Sequence, residues 1–260
     1  MSLFTDSTTD PGIDPGPGFS ADSSLAALSG STLGTVLVTG AASGLGRAIA
    51  AAIGTAGGRP LSLDRVAPEQ PAGPDDPIIC DLADTRATEA AVARAAEAAG
   101  GLDAVVTAAG TDACGDLGDV PGADWDRTVL VNLLGTAAVV RAALPALRAS
   151  RGRVVTVAST LGLRALPAAT AYCASKFGVI GFSRALAAEL AGQVGVTTLI
   201  PGGMRTAFFD GRPDQFKPTA DAELNDPAEV AAAVLFALTR PAGVELRELV
   251  VCPSTEPSWP

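Results

Sequence analysis

From residue 34 onward, short runs of β-branched and apolar residues alternate with longer Ala-rich stretches whose apolar positions recur at helical spacing. The short runs fall at 35–39, 59–63, 77–80, 103–108, 153–158, 194–200 and 246–251. The helical stretches fall between them, at 45–56, 85–99, 123–149, 171–192 and 226–239. Runs such as Val36-Leu37-Val38 are apolar at every position rather than at every second one. That pattern fits strands covered on both faces. Strands alternating with helices predict right-handed βαβ units around a parallel sheet. The expectation is a single doubly wound α/β domain of about seven strands, over residues 33–252.

Residues 1–32 are rich in Ser, Thr, Asp, Gly and Pro (Pro11-Gly12, Pro15-Gly16-Pro17-Gly18) and carry no period. They predict a disordered extension, with a docking or regulatory arm as the alternative. Residues 253–260 form a short tail, in which Trp259 either frays or reaches a subunit interface.

Composition narrows the possible functions. The chain has 260 residues, 48% hydrophobic and 18% charged, enough for a sizeable core. Its net charge of −10 and lack of a basic stripe argue against nucleic acid and anionic membrane surfaces as partners. The longest apolar stretch, 129–140, is short for a bilayer span and contains Asn132 and Gly135. The first residues show no basic region followed by an apolar one, so the expected compartment is the cytoplasm. Cys80, Cys114, Cys173 and Cys252 show no metal-ligand spacing and there is no histidine, so no metal is expected and the cysteines read as free thiols.

The segment Thr39-Gly40-Ala41-Ala42-Ser43-Gly44-Leu45-Gly46 follows the first strand and opens a helix. Glycines there let the backbone turn sharply and approach a pyrophosphate, met by N–H groups at the helix N-terminus. Gly40, Ser43, Gly44, Leu45 and Gly46 are therefore candidate cofactor contacts, although such turns are often structural. Asp64, at the end of the second strand, is placed to accept hydrogen bonds from adenosine ribose hydroxyls and to repel a 2′-phosphate, which favours NAD. Arg65 beside it could hold that phosphate, which keeps NADP open. Asp81 and Leu82, after the third strand, are placed to contact an adenine ring.

Tyr172 is the chain's one tyrosine, and Lys176 is one of two lysines among 18 basic residues. At i and i+4 on a predicted helix they share a face, whereas Cys173 turns about 100° away and reads as packing. Ser159, thirteen residues before Tyr172, sits where the fifth strand ends, at the sheet edge where α/β ligands bind. A phenol beside an ammonium is a general acid/base available without histidine, because a nearby positive charge lowers the phenol pKa. Ser159 would hydrogen-bond the substrate oxygen and stabilise charge developing there.

The Thr39–Gly46 loop, Asp64, Ala108-Ala109-Gly110, Asn132, Ser159, Tyr172, Lys176 and Pro201-Gly202-Gly203-Met204-Arg205-Thr206 occur in that order. Together they resemble the short-chain dehydrogenase/reductase family over about residues 33–252. The resemblance implies a Rossmann-like fold and a reaction between a secondary alcohol and a ketone. It also implies that Lys176 binds the nicotinamide ribose, and that Asn132 holds a water in a proton relay. By the same likeness Ala108, Ala109, Gly110, Pro201, Gly202, Met204 and Thr206 contact the dinucleotide, and the chain pairs into homodimers or homotetramers through the helices bearing Asn132 and Tyr172. Two positions depart from the family pattern. Met204 stands where a β-branched residue is usual, and Thr107 where an asparagine braces the sheet centre.

Candidate walls of the substrate pocket are Cys114, Leu161, Leu163, Leu166, Phe208 and Phe209, under a lid at about 207–222 that reads as loop. An apolar pocket points to a neutral alcohol or ketone, with Arg164, Arg205 and Arg212 as exceptions that would suit an acid. Two alternatives stay open. One is an NADPH-linked biosynthetic ketoreductase, and the other is a dinucleotide-binding regulator without redox activity.

Overall fold

The computed structural model describes residues 33–256. The expected N-terminal extension and the end of the tail, with Trp259, lie outside the described residues. Seven strands form one parallel sheet: β1 (Thr35–Thr39), β2 (Arg59–Asp64), β3 (Ile78–Ile79), β4 (Ala104–Thr107), β5 (Arg153–Val157), β6 (Gly195–Pro201) and β7 (Glu248–Val251). Their order is β3-β2-β1-β4-β5-β6-β7. The chain winds outward one way from β1 and the other way from β4, which opens a crevice between them at the carboxyl ends.

Alternation along the strands builds two cores. Val36 and Val38 pack with Val106 and Val155 against helices α1 (Gly44–Thr55) and α6 (Pro227–Leu238). Leu37 points the other way, with Val105 and Val154, toward α2 (Thr85–Ala99), α4 (Thr136–Ser150) and α5 (Thr170–Glu189). Each fully buried Leu or Val contributes on the order of 1.5–3 kcal/mol, which makes this register strongly preferred over a one-residue slip. The edge strands β3 and β7 are shorter than the sequence runs, having one neighbour each.

Helix ends follow local chemistry. Asp84 caps α2 by accepting from the Arg86 and Ala87 amides at 3.1 and 3.0 Å, and Gly100 closes it at φ 78°. Asp226 caps α6, and Pro227 occupies its first turn.

The expected helix at 123–149 is a continuous helical run with a widened turn. It comprises α3 (Gly122–Val129), a π-helical turn (Leu130–Gly135) and α4. In that turn the Thr136 hydroxyl donates to the Asn132 carbonyl at 2.9 Å, supplying a bond that the α-helical ladder lacks there. By length and composition this run could cross a membrane. Its buried face, with Val131, Val139, Val140 and Leu147, packs on the sheet instead, as in a core helix.

Thr107, in the place of the bracing asparagine, has a buried hydroxyl with no hydrogen-bond partner among the described residues. Leaving such a group unpaired costs on the order of 1–3 kcal/mol, and an apolar isostere avoids that penalty. Thr107→Val is expected to keep or raise the urea unfolding midpoint; a clear fall would show that the hydroxyl is satisfied in solution.

Candidate active site

The crevice at the carboxyl ends of β1 and β4 deepens into a cavity of about 790 Å³. One end is built by the β1–α1 turn. Gly40 and Gly44 take left-handed φ values of 70° and 51°. A Cβ on Gly46 would lie 2.2 Å from the Gly40 carbonyl oxygen, so only glycine lets the helix start so close to the strand. Ser43 caps α1 in extended conformation without a side-chain hydrogen bond, leaving the first-turn amides uncapped beside the cavity wall formed by Ser43, Gly44, Leu45 and Gly46. That cradle fits the pyrophosphate of a dinucleotide.

Asp64, Arg65, Asp81 and Leu82 line the same end. Asp64 accepts from the Ala42 amide at 3.0 Å and the Arg65 amide at 2.7 Å, which ties the end of β2 to the glycine turn. Asp81 accepts from the Ala83 amide at 3.0 Å and pairs with Arg127 at 2.9 Å. The Ala83 hydrogen bond first, then Arg127, holds the Asp81 carboxyl below its usual range.

At the centre, Tyr172 and Lys176 share one face of α5, with the Lys176 Nζ 5.5 Å from the phenol ring centroid. Lys176 is buried and donates to the Val157 carbonyl at 2.9 Å. Ser159 follows the end of β5, and its hydroxyl accepts from the Leu161 amide at 3.2 Å and faces the Tyr172 phenol.

The acidities differ from the sequence expectation. Burial pushes the phenol up to about 12, while the Ser159 hydrogen bond pulls it down. Burial likewise brings the Lys176 ammonium down to about 8. Desolvation of both groups outweighs the attraction expected between ammonium and phenolate. Cys173 is buried, in keeping with the packing role read from its angle on the helix.

Asn132 is close by but does not line the cavity. Its amide accepts from the Thr111 N–H at 2.8 Å, and donates to the Thr111 carbonyl at 2.9 Å and to the Ser175 hydroxyl at 3.0 Å. It thereby clamps the loop after β4 to α5. Gly110 lies between Asn132 and Lys176, whose Oδ1 and Nζ come within 3.5 and 3.7 Å of where a Cβ would sit. Ala108, Ala109, Gly110, Pro201, Gly202, Met204 and Thr206 all line the cavity.

At the far end Cys114, Leu161, Leu166, Phe208 and Phe209 form walls as expected from the sequence. Leu163 does not line the cavity: it packs on Ala158, Val179, Ile180 and Ile200, because the single 3-10 turn Thr160–Gly162 rotates it inward. The lid over this end is a loop with two short turns, Ala207–Phe209 and Asp214–Phe216.

Sequence reasoning missed Asp112, Arg127 and Glu256, which also line the cavity. Glu256 accepts from the Gly203 amide at 3.0 Å, although it lies beyond the expected domain end. No local motif marks these three; their place follows from long-range packing.

A parallel sheet of this order, with a glycine turn at its switch point and a Ser-Tyr-Lys cluster beside it, defines a dinucleotide-linked oxidoreductase. Residues 34–216 match the profile of the family described as short chain dehydrogenase, and the chain belongs to that family. It is similar to a D-threitol dehydrogenase of Mycolicibacterium smegmatis, 38% identical over 77% of this chain and 84% of that protein. An uncharacterized oxidoreductase of Staphylococcus aureus is 33% identical over 84% of this chain and 96% of its own length. Among solved structures, an alcohol dehydrogenase from Thermococcus sibiricus complexed with 5-hydroxy-NADP superposes with a TM-score of 0.75 at 25% identity, covering 84% of this chain and 95% of that one. A short-chain type dehydrogenase/reductase from Mycobacterium marinum gives the same TM-score of 0.75 at 25% identity, over 84% and 93% of the two chains.

Proposed function

We propose that this chain is an NAD(H)-dependent oxidoreductase interconverting an uncharged secondary alcohol and its ketone, with Tyr172 as general acid/base. The observation that carries the reading is that Ser159, Tyr172 and, one helical turn along, the buried Lys176 line one cavity that continues to the glycine turn. A bound nicotinamide dinucleotide supplies the hydride acceptor or donor.

In alcohol oxidation Tyr172 takes the hydroxyl proton, and in ketone reduction it returns it. Ser159 donates to the substrate oxygen and stabilises charge developing there. Lys176 holds positive charge beneath the phenol and binds the nicotinamide ribose. Asn132, by fixing the loop after β4, keeps Gly110 and Lys176 in register for a proton relay. Because oxidation consumes the phenolate form, its kcat/KM is expected to rise with pH; reduction, which consumes the phenol proton, is expected to fall.

For the cofactor, Asp64 at the end of β2 supports NAD over NADP: its carboxylate lies at the ribose end of the cavity and would repel a 2′-phosphate. Asp64→Ala is expected to narrow the preference for NAD(H) over NADP(H) by roughly tenfold or more. The check is kcat/KM with each cofactor, and a wild type that already prefers NADPH would reverse the assignment. The similarity to D-threitol dehydrogenase supports a polyol or related alcohol as the substrate class. Leu134 and Phe177, each 45% exposed on the helical run bearing Asn132 and on α5, support self-association through that face.

A further inference from the structure

The lid and the loop after β4 meet in an ion pair between residues one hundred apart in sequence. Arg212 Nη2 donates to Asp112 Oδ2 at 2.6 Å, with side chains only 18% and 7% exposed. Asp112 is held in place from its own loop. Its Oδ1 accepts from the Ala113 amide at 2.7 Å, and its Oδ2 also accepts from the Cys114 thiol at 3.0 Å. The Arg212 guanidinium lies 4.9 Å from the Phe208 ring centroid and 4.6 Å from that of Phe209. Phe208 in turn packs on the Tyr172 ring at 5.7 Å. Arg212 Nη1 reaches the Phe216 carbonyl at 3.4 Å, while its buried Nε has no partner among the described residues.

Among the described residues, four cationic side chains line the cavity: Arg65, Arg127, Lys176 and Arg212. The first two lie with Asp64 and Asp81, and Lys176 lies under the phenol. Arg212 is therefore the cation of the substrate wall, the residue a carboxylate-bearing substrate would need. Its charge is already taken. A guanidinium paired with a carboxylate is neutral as a unit and attracts a second anion far less, and an incoming carboxylate also meets the charge of Asp112.

We propose that Asp112 is a specificity-determining residue that neutralises Arg212, so that the closed site takes uncharged hydroxyl compounds and rejects carboxylate-bearing ones of the same skeleton. The inference rests on the oxidoreductase reading above. The pair is charge-neutral as a unit, and it fastens the lid beside the catalytic tyrosine. Removing either partner leaves a buried charge of known sign, which selects a substrate of the opposite sign.

The test compares butanediol, β-hydroxybutyrate and aminobutanol as substrates for the wild type, Asp112→Asn and Arg212→Gln. Asp112→Asn leaves Arg212 unpaired and is expected to raise kcat/KM for β-hydroxybutyrate relative to butanediol at least tenfold. Arg212→Gln leaves Asp112 unpaired and is expected to raise the aminobutanol-to-butanediol ratio by a similar factor. A lid merely loosened would change both charged probes alike in both variants, and that result, or unchanged ratios, overturns the proposal. Either variant alone decides the matter should the other not fold. Thermal shift with NAD+ present gives a readout without turnover: β-hydroxybutyrate should stabilise Asp112→Asn and not the wild type. If the wild type oxidises none of the three while this shift appears, the oxidoreductase reading fails and the charge pairing stands. No shift and no turnover overturns both.

Discussion

Replacing Tyr172 by Phe is expected to lower kcat by about a hundredfold to ten-thousandfold, the range that a positioned general acid/base contributes. The substitution removes one oxygen and leaves the ring, its packing on Phe208 at 5.7 Å and the position of Lys176 over the ring unchanged. Dinucleotide affinity should therefore stay within about fivefold, because the loss of one hydroxyl contact is worth on the order of 1 kcal/mol or less to binding. The pH dependence should change as well. Burial puts the phenol up at about 12, and Ser159 pulls it down; without that proton the residual rate should no longer climb with pH. Stopped-flow turnover of an alcohol across pH, alongside calorimetric cofactor binding, separates these outcomes. Full activity in the Phe variant would remove Tyr172 from the mechanism.

Gly46→Val is expected to weaken dinucleotide binding more than any change at the substrate end. A Cβ there would lie 2.2 Å from the Gly40 carbonyl oxygen and 2.9 Å from that of Thr39, both backbone atoms that cannot rotate away. Either α1 moves off the end of β1, or the turn opens and its first-turn amides lose their aim. Overpacking of this kind costs about 1–3 kcal/mol, and misplacing the pyrophosphate cradle adds to it, so the dissociation constant should rise at least about tenfold. Calorimetry with NAD+ and a urea melt read the two parts separately. Unchanged affinity would show that the dinucleotide does not sit on this turn.

Much of the architecture is legible in the sequence because a parallel sheet buried on both faces writes continuous apolar runs. Val36-Leu37-Val38 reads as a buried strand from its unbroken apolar character alone, and its two faces supply both cores. The glycine turn and the Ser159–Tyr172–Lys176 cluster are legible for a related reason. Their chemistry depends on short intervals along the chain, within one turn, within one helix, or over the thirteen residues from Ser159 to Tyr172. The π-helical turn at Leu130–Gly135 left no such mark, since its residues carry no Gly-Pro break or cap that would set them apart from a regular helix. The inward rotation of Leu163 was equally invisible, as it depends on a single turn of the chain.

The sequence by itself determined the strand–helix alternation, the phosphate-binding turn and the spacing of the reactive side chains, because local sterics and periodicity govern each of them. Only the tertiary structure decided which charges face one another across the substrate wall. Asp112 and Arg212 are brought within 2.6 Å by the packing of the lid on the loop after β4. Arg212 read alone is a candidate receptor for an acid, and paired with Asp112 it is neutral. Glu256 shows the same thing at the other loop, where a residue beyond the expected domain end returns to hold Gly203. Electrostatic character at a site depends on distance in space, and distance in space is fixed by packing that no local pattern of residues encodes.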